Sequence, residues 1–327
     1  MRVTFPCLLI ALVLSLVAPV HGAGPLLLVL NKGDLTMAIV DPARLAVTGR
    51  VPTGPDPHEV EASADGTRAY IANYGRGNGA ANTISVVDLV AKQPMPPIDL
   101  GTLSRPHGLH YIGGKLYFAA EGARMAGRLD PSSRQVEWTV STGQDGPHMI
   151  IATADHMKAF TTNRGAGSVS ILEHTGAGAG DWHVTNVAVG RGAEGFDLSP
   201  DGKELWTANA SESTVSIVDV RSKTVVQTLR VPFSRANRLK FTPDGTRALI
   251  SDLGGHELIV MDTAARREIG RIDVKGGAAG LLVEPSGARA FLSVGSQGAV
   301  AVIDLKQLAV TSWIQTGPNP DGLAWVN

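Results

Sequence analysis

An all-β ring of seven four-stranded blades, closed by its own C-terminus, is what three features of the sequence predict. A strand-like segment ending in an acidic residue recurs at Asp41, Asp88, Asp130, Glu173, Asp219, Asp262 and Asp304, with intervals of 47, 42, 43, 46, 43 and 42 residues. A repeat of about 40 to 45 residues is the period of a propeller blade. Within each unit β-branched residues recur with period two, as in Thr83 to Asp88 and Thr214 to Asp219, and turn dipeptides such as Asp65-Gly66, Asp201-Gly202 and Asp244-Gly245 separate the runs. No stretch after the leader holds a helical period for long. The predicted fold is therefore a seven-bladed β-propeller, with strands a to d in each blade.

The elements follow in chain order. Arg2, the apolar stretch from Cys7 to Val17 and the small residues Gly22 and Ala23 read as a secretory signal over residues 1–22. The apolar run is shorter than the roughly 20 residues a spanning helix needs. The mature chain, 23–327, is then one propeller domain, periplasmic or secreted, with no membrane span and no cysteine, since Cys7 leaves with the leader. It opens on LLLVLNK, which matches strand b of later units (RAYIANY, ELWTANA), and ends on DGLAWVN, which matches strand a (HGLHYIG, EGFDLSP). The C-terminus thus supplies the strand the first blade lacks, leaving no free sheet edge between the ends.

The middle units vary. Blade 2 carries an extended b-to-c connection, NYGRGNGAAN from Asn73 to Asn82. Blade 3 has GARMAGRLD in place of a TVSIVD-like strand, blade 4 has Ala154-Asp155-His156 at its Asp-Gly turn and a Gly-rich stretch from Thr175 to Asp181, and blade 7 has Glu284-Pro285-Ser286-Gly287. The acidic row that ends strand c reads as a set of turn caps.

Composition narrows the function. Twenty-nine Lys and Arg balance 30 Asp and Glu, for a net charge of −1 without a basic run, so no nucleic-acid partner is expected. No Gly-x-Ser-x-Gly elbow is present, and with no mature cysteine there is no evident nucleophile. A monomer is expected.

SPDGKELWTANASESTVSIVDVRSKTVVQTLRV (Ser199 to Val231) and SADGTRAYIANYG (Ser63 to Gly75) resemble the YVTN repeat of YncE-like, lactonase-like seven-bladed propellers. The resemblance runs over essentially all of the mature chain, is best in blades 2, 5 and 6, and implies the same fold. It is poor for function, since the family includes surface-layer and periplasmic proteins without an assigned reaction and is related to lactone-hydrolysing propellers. The Gly-His and Trp-Asp signatures of WD40 repeats are missing.

Two rows of equivalent positions mark one face. The starts of strand a align His58, His107, His148, Glu194, Asn237, Ala279 and Asp321, and the ends of strand b align Asn31, Asn73, Glu121, Asn163, Asn209, Asp252 and Val294. The first row should crowd the mouth of the central channel. His58, His107 and His148 with Glu194 form a donor set of the kind zinc or copper uses, so a divalent metal is a candidate cofactor and none is certain. The three imidazoles span two blade steps. A metal-free polar site would draw on Asn73, Tyr74, Arg76, Glu121, Asn163, Arg164, Asn209, Asn237, Arg238 and Asp321, although Asn31, Asn73, Asn163 and Asn209 are better explained as local caps that bond their own loop backbone.

The expected function is binding of a small polar ligand, a metal or a protein partner at this mouth. The alternative is a lactonase-like hydrolase, or a His-ligated metal enzyme, in which His107 or His148 is a general base and Glu194 or Glu121 orients water or protonates the leaving group.

Overall fold

The computed structural model describes residues 24–76, 79–176, 178 and 180–327; the leader read at residues 1–22 lies outside the described residues. Seven four-stranded antiparallel sheets are arranged as the blades of a propeller, each in the order a-b-c-d. Strands a are Pro320–Val326 in blade 1, then Pro57–Ala62, Pro106–Ile112, Pro147–Ala152, Ala193–Leu198, Ala236–Phe241 and Ala278–Val283 in blades 2 to 7. Among the described residues the only helical segments are the 3-10 turns Glu121–Ala123 and Gly295–Gln297, and no helix is long and apolar enough to cross a membrane. The ring closes as the sequence predicts: Pro320–Val326 pairs antiparallel with Leu26–Asn31, matching Leu27 with Trp325 and Leu28 with Ala324.

The alternating side chains of strands b and c bury themselves against the neighbouring blades. Trp206 and Ala208 of blade 5 join Leu239, Ile250 and Ile259 of blade 6 in one cluster, and blades 6 and 7 share Leu249, Leu258, Leu292 and Ile303 in the next. Burying such side chains contributes about 1.5 to 3 kcal/mol each. The core is thus a chain of inter-blade seams, each using both neighbours.

The acidic row caps turns. Asp41 accepts the amides of Ala43 and Arg44 at 2.9 and 3.0 Å, and Asp88 and Asp304 repeat the pattern. Glu173 departs from it, pairing instead with Lys158 and Lys223. In blade 4, Asp155 accepts the Met157 amide as Asp65 accepts that of Thr67, while His156 takes the positive φ of 60° that glycine supplies elsewhere. The turn survives because the aspartate keeps its carboxylate bonds and the His156 amide donates to the Thr153 carbonyl at 2.9 Å, as the Gly66 amide donates to that of Ser63.

The extended connection of blade 2 is largely strand. Its b and c strands, Arg68–Arg76 and Gly79–Asp88, continue past the other blades as a hairpin that pairs Arg76 with Gly79 after a register shift at Asn73/Gly75.

Two devices bring the strands a together around the axis. Between their first and fourth residues all seven shift register against strand b, for example at Pro57/Val60, Pro147/Ile150 and Ala193/Phe196. An extra residue on one strand is a β-bulge, which breaks the two-residue alternation and re-aims side chains. Glycine then permits contact between blades: a Cβ on Gly108 would lie 2.6 Å from Met149 Cα, and one on Gly195 2.5 Å from Arg238 Cα.

Candidate functional site

Because the bulge falls at the same place in each blade, the second residue of every strand a turns to the channel mouth. All seven, His58, His107, His148, Glu194, Asn237, Ala279 and Asp321, line one cavity of about 380 Å³ together with Lys32, Tyr74, Arg164, Arg235 and Arg238. Strand-b hydroxyls fix part of this row. Thr162 donates to the Glu194 carbonyl at 3.0 Å, Ser251 to that of Ala279 at 2.7 Å and Ser293 to that of Asp321 at 2.7 Å, each reaching into the following blade.

The three histidines differ in protonation, and their partners show why. His148 is bonded from Nδ1 to Glu121 Oε2 at 3.0 Å and from Nε2 to Glu194 Oε1 at 3.2 Å. An ionised carboxylate only accepts, so both ring nitrogens donate and the ring is an imidazolium. Burial opposes that charge, but the bonds to Glu121 and Glu194 outweigh it and raise the pKa of His148. The same bonds, with Arg164 Nε 2.6 Å from Glu194 Oε2, overcome the effect of burial on Glu194 and hold its pKa down at about 2.

His58 is neutral. Its Nδ1 lies 2.9 Å from the Asp56 carbonyl and must donate, while its Nε2 lies 2.7 Å from the Lys32 ammonium and must accept. Burial lowers its pKa and Lys32 adds to the effect. His107 stacks on His148 with ring centroids 3.7 Å apart and packs 4.8 Å from His58. Burial, followed by the charge of His148, pushes its pKa well down, and its Nδ1 has no hydrogen-bond partner among the described residues. Neither has Asn237 Oδ1, although Asn237 Nδ2 reaches Glu194 at 3.4 Å.

These contacts bear on the metal set His58, His107, His148 and Glu194. Both nitrogens of His58 and of His148 are engaged, and His107 stacks face to face on His148 while His58 is tilted against His107. Among the described residues no group of three or more His, Cys, Asp or Glu side chains is arranged to hold a metal ion. The residues present do not fit the zinc or copper site expected from the row.

The other expected site residues separate into three groups. Asn237, Arg164, Arg238, Tyr74 and Asp321 line the cavity. Glu121 stands behind His148 and, with Tyr74 and Arg164, lines a second, outer cleft of about 730 Å³ that also holds Arg105, Asp145 and Arg191. Asn73, Asn163 and Asn209 do not reach the cavity; each buries its carboxamide against its own strand c. Asn209 donates to Thr214 and Ser216 at 3.0 and 2.9 Å, and Asn73 and Asn163 make the equivalent bonds. Gly54 and Gly190, in the d-to-a loops, leave room for Asn73 and Asn209. Arg76 is likewise a brace, donating to the Lys32 carbonyl at 2.7 Å and lying 3.5 Å from Asp56.

Lys32, Asp56 and Glu59 escape a reading by aligned rows. Lys32 follows the end of strand b and pairs with Asp321 at 3.3 Å. Glu59, beside His58 in the bulge, forms an ion pair with Arg238 that runs from blade 2 to blade 6. The one signal for it in the sequence is that Glu59, Met149 and Arg238 occupy a position that is glycine in the other four blades.

No family model and no curated protein matches this chain. Solved structures do. A protein of unknown function from Desulfotomaculum acetoxidans is similar over 92% of this chain and 99% of its own, at 10% identity and a TM-score of 0.77. A protein from Lactobacillus plantarum is similar over 93% of this chain and 99% of its own, at 16% identity and a TM-score of 0.75. Hydrazine synthase from Kuenenia stuttgartiensis is similar over 82% of this chain and 89% of that one, at 16% identity and a TM-score of 0.71. At these identities the likeness is one of fold.

Proposed function

We propose that this propeller, of the YVTN type and exported to the periplasm or beyond, binds a small organic anion at its channel mouth. The single observation that carries the reading is the composition of the cavity wall. Lys32, Arg164, Arg235, Arg238 and the imidazolium of His148 face Glu194 and Asp321 as the only carboxylates among the lining residues. Glu59, Glu121 and Asp56 behind the wall pair with Arg238, His148 and Lys32, so the cations left to meet a carboxylate or phosphate are Arg235 and Arg164, which is bonded to Glu194 through Nε and keeps the rest of its guanidinium fork for a ligand. The unpartnered polar atoms of His107 and Asn237 add acceptor and donor capacity to the same wall.

The test is calorimetric titration of the mature chain with a panel of organic mono- and dicarboxylates. Saturable binding that Arg164→Gln weakens about tenfold, the scale of one charge-assisted bond, is expected. Lack of binding across the panel, or binding indifferent to Arg164→Gln, overturns the reading. So does near-stoichiometric zinc or copper in the purified protein that is lost when His58, His107 and His148 are replaced by alanine.

Neutral His107 beside cationic His148 favours a second reading, hydrolysis of a lactone. His107 would take a proton from water as the water oxygen adds to the lactone carbonyl, His148 would donate to the resulting oxyanion, and the proton on His107 would pass to the ring oxygen as the ring C–O bond breaks. Turnover of a lactone panel, abolished by His107→Ala, is the outcome this reading requires.

A further inference from the structure

The channel mouth and the outer cleft of about 730 Å³ adjoin, because Tyr74 and Arg164 line both. The cleft lies over blades 3 to 5, between Arg105 and Glu121 on one side and Arg191 and Ser211 on the other, with Asp145 and Arg164 in the middle. Gly122, Gly146, Gly165 and Gly192 leave the space between these groups bare of side chains. Only Tyr74 among the lining residues is aromatic, and none has a hydrocarbon side chain.

The charges of this cleft are already matched. Arg191 Nε lies 2.8 Å from Glu212 Oε1 and Asp145 Oδ1 3.2 Å from Arg124 Nη2, while Glu121 bonds His148 and Arg164 bonds Glu194. The contacts of Arg191 and Asp145 engage one atom each, so these exposed side chains keep further donors and acceptors. Neutral hydroxyls suit such a wall, since they donate to a carboxylate and accept from a guanidinium or from Ser211. A peptide does not. The loops that border the cleft pair within their own blades, the amides of Gly122, Arg164 and Ala210 donating to the carbonyls of Ser104, Gly146 and Gly192 at 3.1, 2.8 and 2.9 Å, so they offer no free strand edge, and no apolar pocket is there for a side chain.

We infer that the ligand of the mouth is the acidic end of an oligosaccharide, a terminal uronate whose carboxylate meets Arg164 and Arg235 and whose neutral sugar rings lie in the outer cleft against Asp145, Arg191 and Ser211. The inference rests on the anion reading of the mouth and adds the body of the ligand to it. One carboxylate is expected instead of several, because the cations left for an anion are at the mouth and those of the cleft are paired. The cleft has the volume of a site for a ligand of drug size, which two sugar rings match.

The experiment is calorimetric titration of the mature chain with glucuronate, with glucuronosyl-xylobiose, which adds two neutral rings, with neutral xylotriose, and with N-acetyl-triserine, a peptide bearing one carboxylate. Glucuronosyl-xylobiose should bind at least about tenfold tighter than glucuronate, the scale of one or two added hydrogen bonds, and xylotriose and the peptide should not match it. Arg235→Gln, which alters the mouth and not the cleft, should weaken both uronates by the same factor. Ser211→Trp, which fills the cleft and not the mouth, should remove the gain from the two rings and leave glucuronate unchanged, and Arg191→Gln should reduce that gain. Melting curves establish that each variant is folded. Equal affinity for the two uronates, a gain that persists in folded Ser211→Trp and Arg191→Gln, uronate binding indifferent to Arg235→Gln, or xylotriose or the peptide binding as tightly as glucuronosyl-xylobiose overturns the inference. If no uronate binds but other carboxylates do, the inference falls and the anion reading stands; if no anion binds at all, both fall.

Discussion

His148 and Glu194 hold opposite charges in a buried place, and each is backed by a second partner, Glu121 behind His148 and Arg164 beside Glu194. Replacing His148 takes one of the two cations from Glu194, and in a buried site that loss is costly. Their pH dependences have opposite signs. His148 has its pKa raised above 6.5 in the fold, so its stabilisation is complete below 6.5 and is lost as pH rises through the raised value. Glu194 is held at about 2 against an ordinary 4.5, so its stabilisation is complete above 4.5 and is lost as pH falls toward 2. The advantage of the wild type over His148→Gln in thermal unfolding should therefore peak between pH 4.5 and 6.5 and shrink on both sides. A flat difference across pH 3 to 9 would mean that His148 is not charged as its contacts require. NMR titration offers a second check: His148 should deprotonate last of the three mouth histidines, and His107 should stay neutral into the acid range.

At the scale of the strand, the bulge in strand a sets the site. It places adjacent residues such as His58 and Glu59 on different tasks, one in the cavity wall and one in an ion pair across the channel. It also brings the backbones of neighbouring strands a so close that glycine is needed at Gly108 and Gly195. Gly195→Ala must push blade 5 from blade 6 or shift Arg238, at a cost of about 1 to 3 kcal/mol from overpacking. Denaturant unfolding should show that loss, and anion binding should weaken with it because Glu194 and Asn237 flank the contact. A variant as stable as wild type would mean that the strands lie farther apart. Equivalent positions also carry unequal weight. The asparagines ending strand b look like a functional ring in alignment, yet in the fold their amides satisfy strand-c hydroxyls of the same blade, work that needs no ligand.

For the whole molecule, closure by two distant segments is the decisive feature. Pro320–Val326 supplies the inner strand of blade 1, places Asp321 in the mouth and buries Ala324 and Val326 against the core shared by blades 1 and 2. Removing residues 322–327 exposes the edge of Leu26–Asn31 and opens the ring. The expected loss is comparable to the roughly 5 to 15 kcal/mol that stabilises a whole domain, so cooperative thermal unfolding should disappear. A truncated chain that keeps a sharp transition near the wild-type temperature would refute closure by this strand. The ion pairs between Lys32 and Asp321, and between Arg238 and Glu59, belong to the same scale, since each joins segments that only the closed ring brings together.

The repeat period, the turn signals and the matching ends were enough to determine the fold, the blade number and the mode of closure, because each is a local regularity repeated along the chain. The row from His58 to Asp321 was legible for the same reason, being a fixed offset within the repeat. What the repeat could not carry is contact between blades. That His148 is clamped by Glu121 and Glu194, that His58 answers to Lys32, and that His107 stacks on His148 depend on side chains from different units meeting at the axis. A bulge that shifts register by one residue decides which of them meet, and nothing in the period-two pattern of a single blade encodes where that bulge points its neighbours.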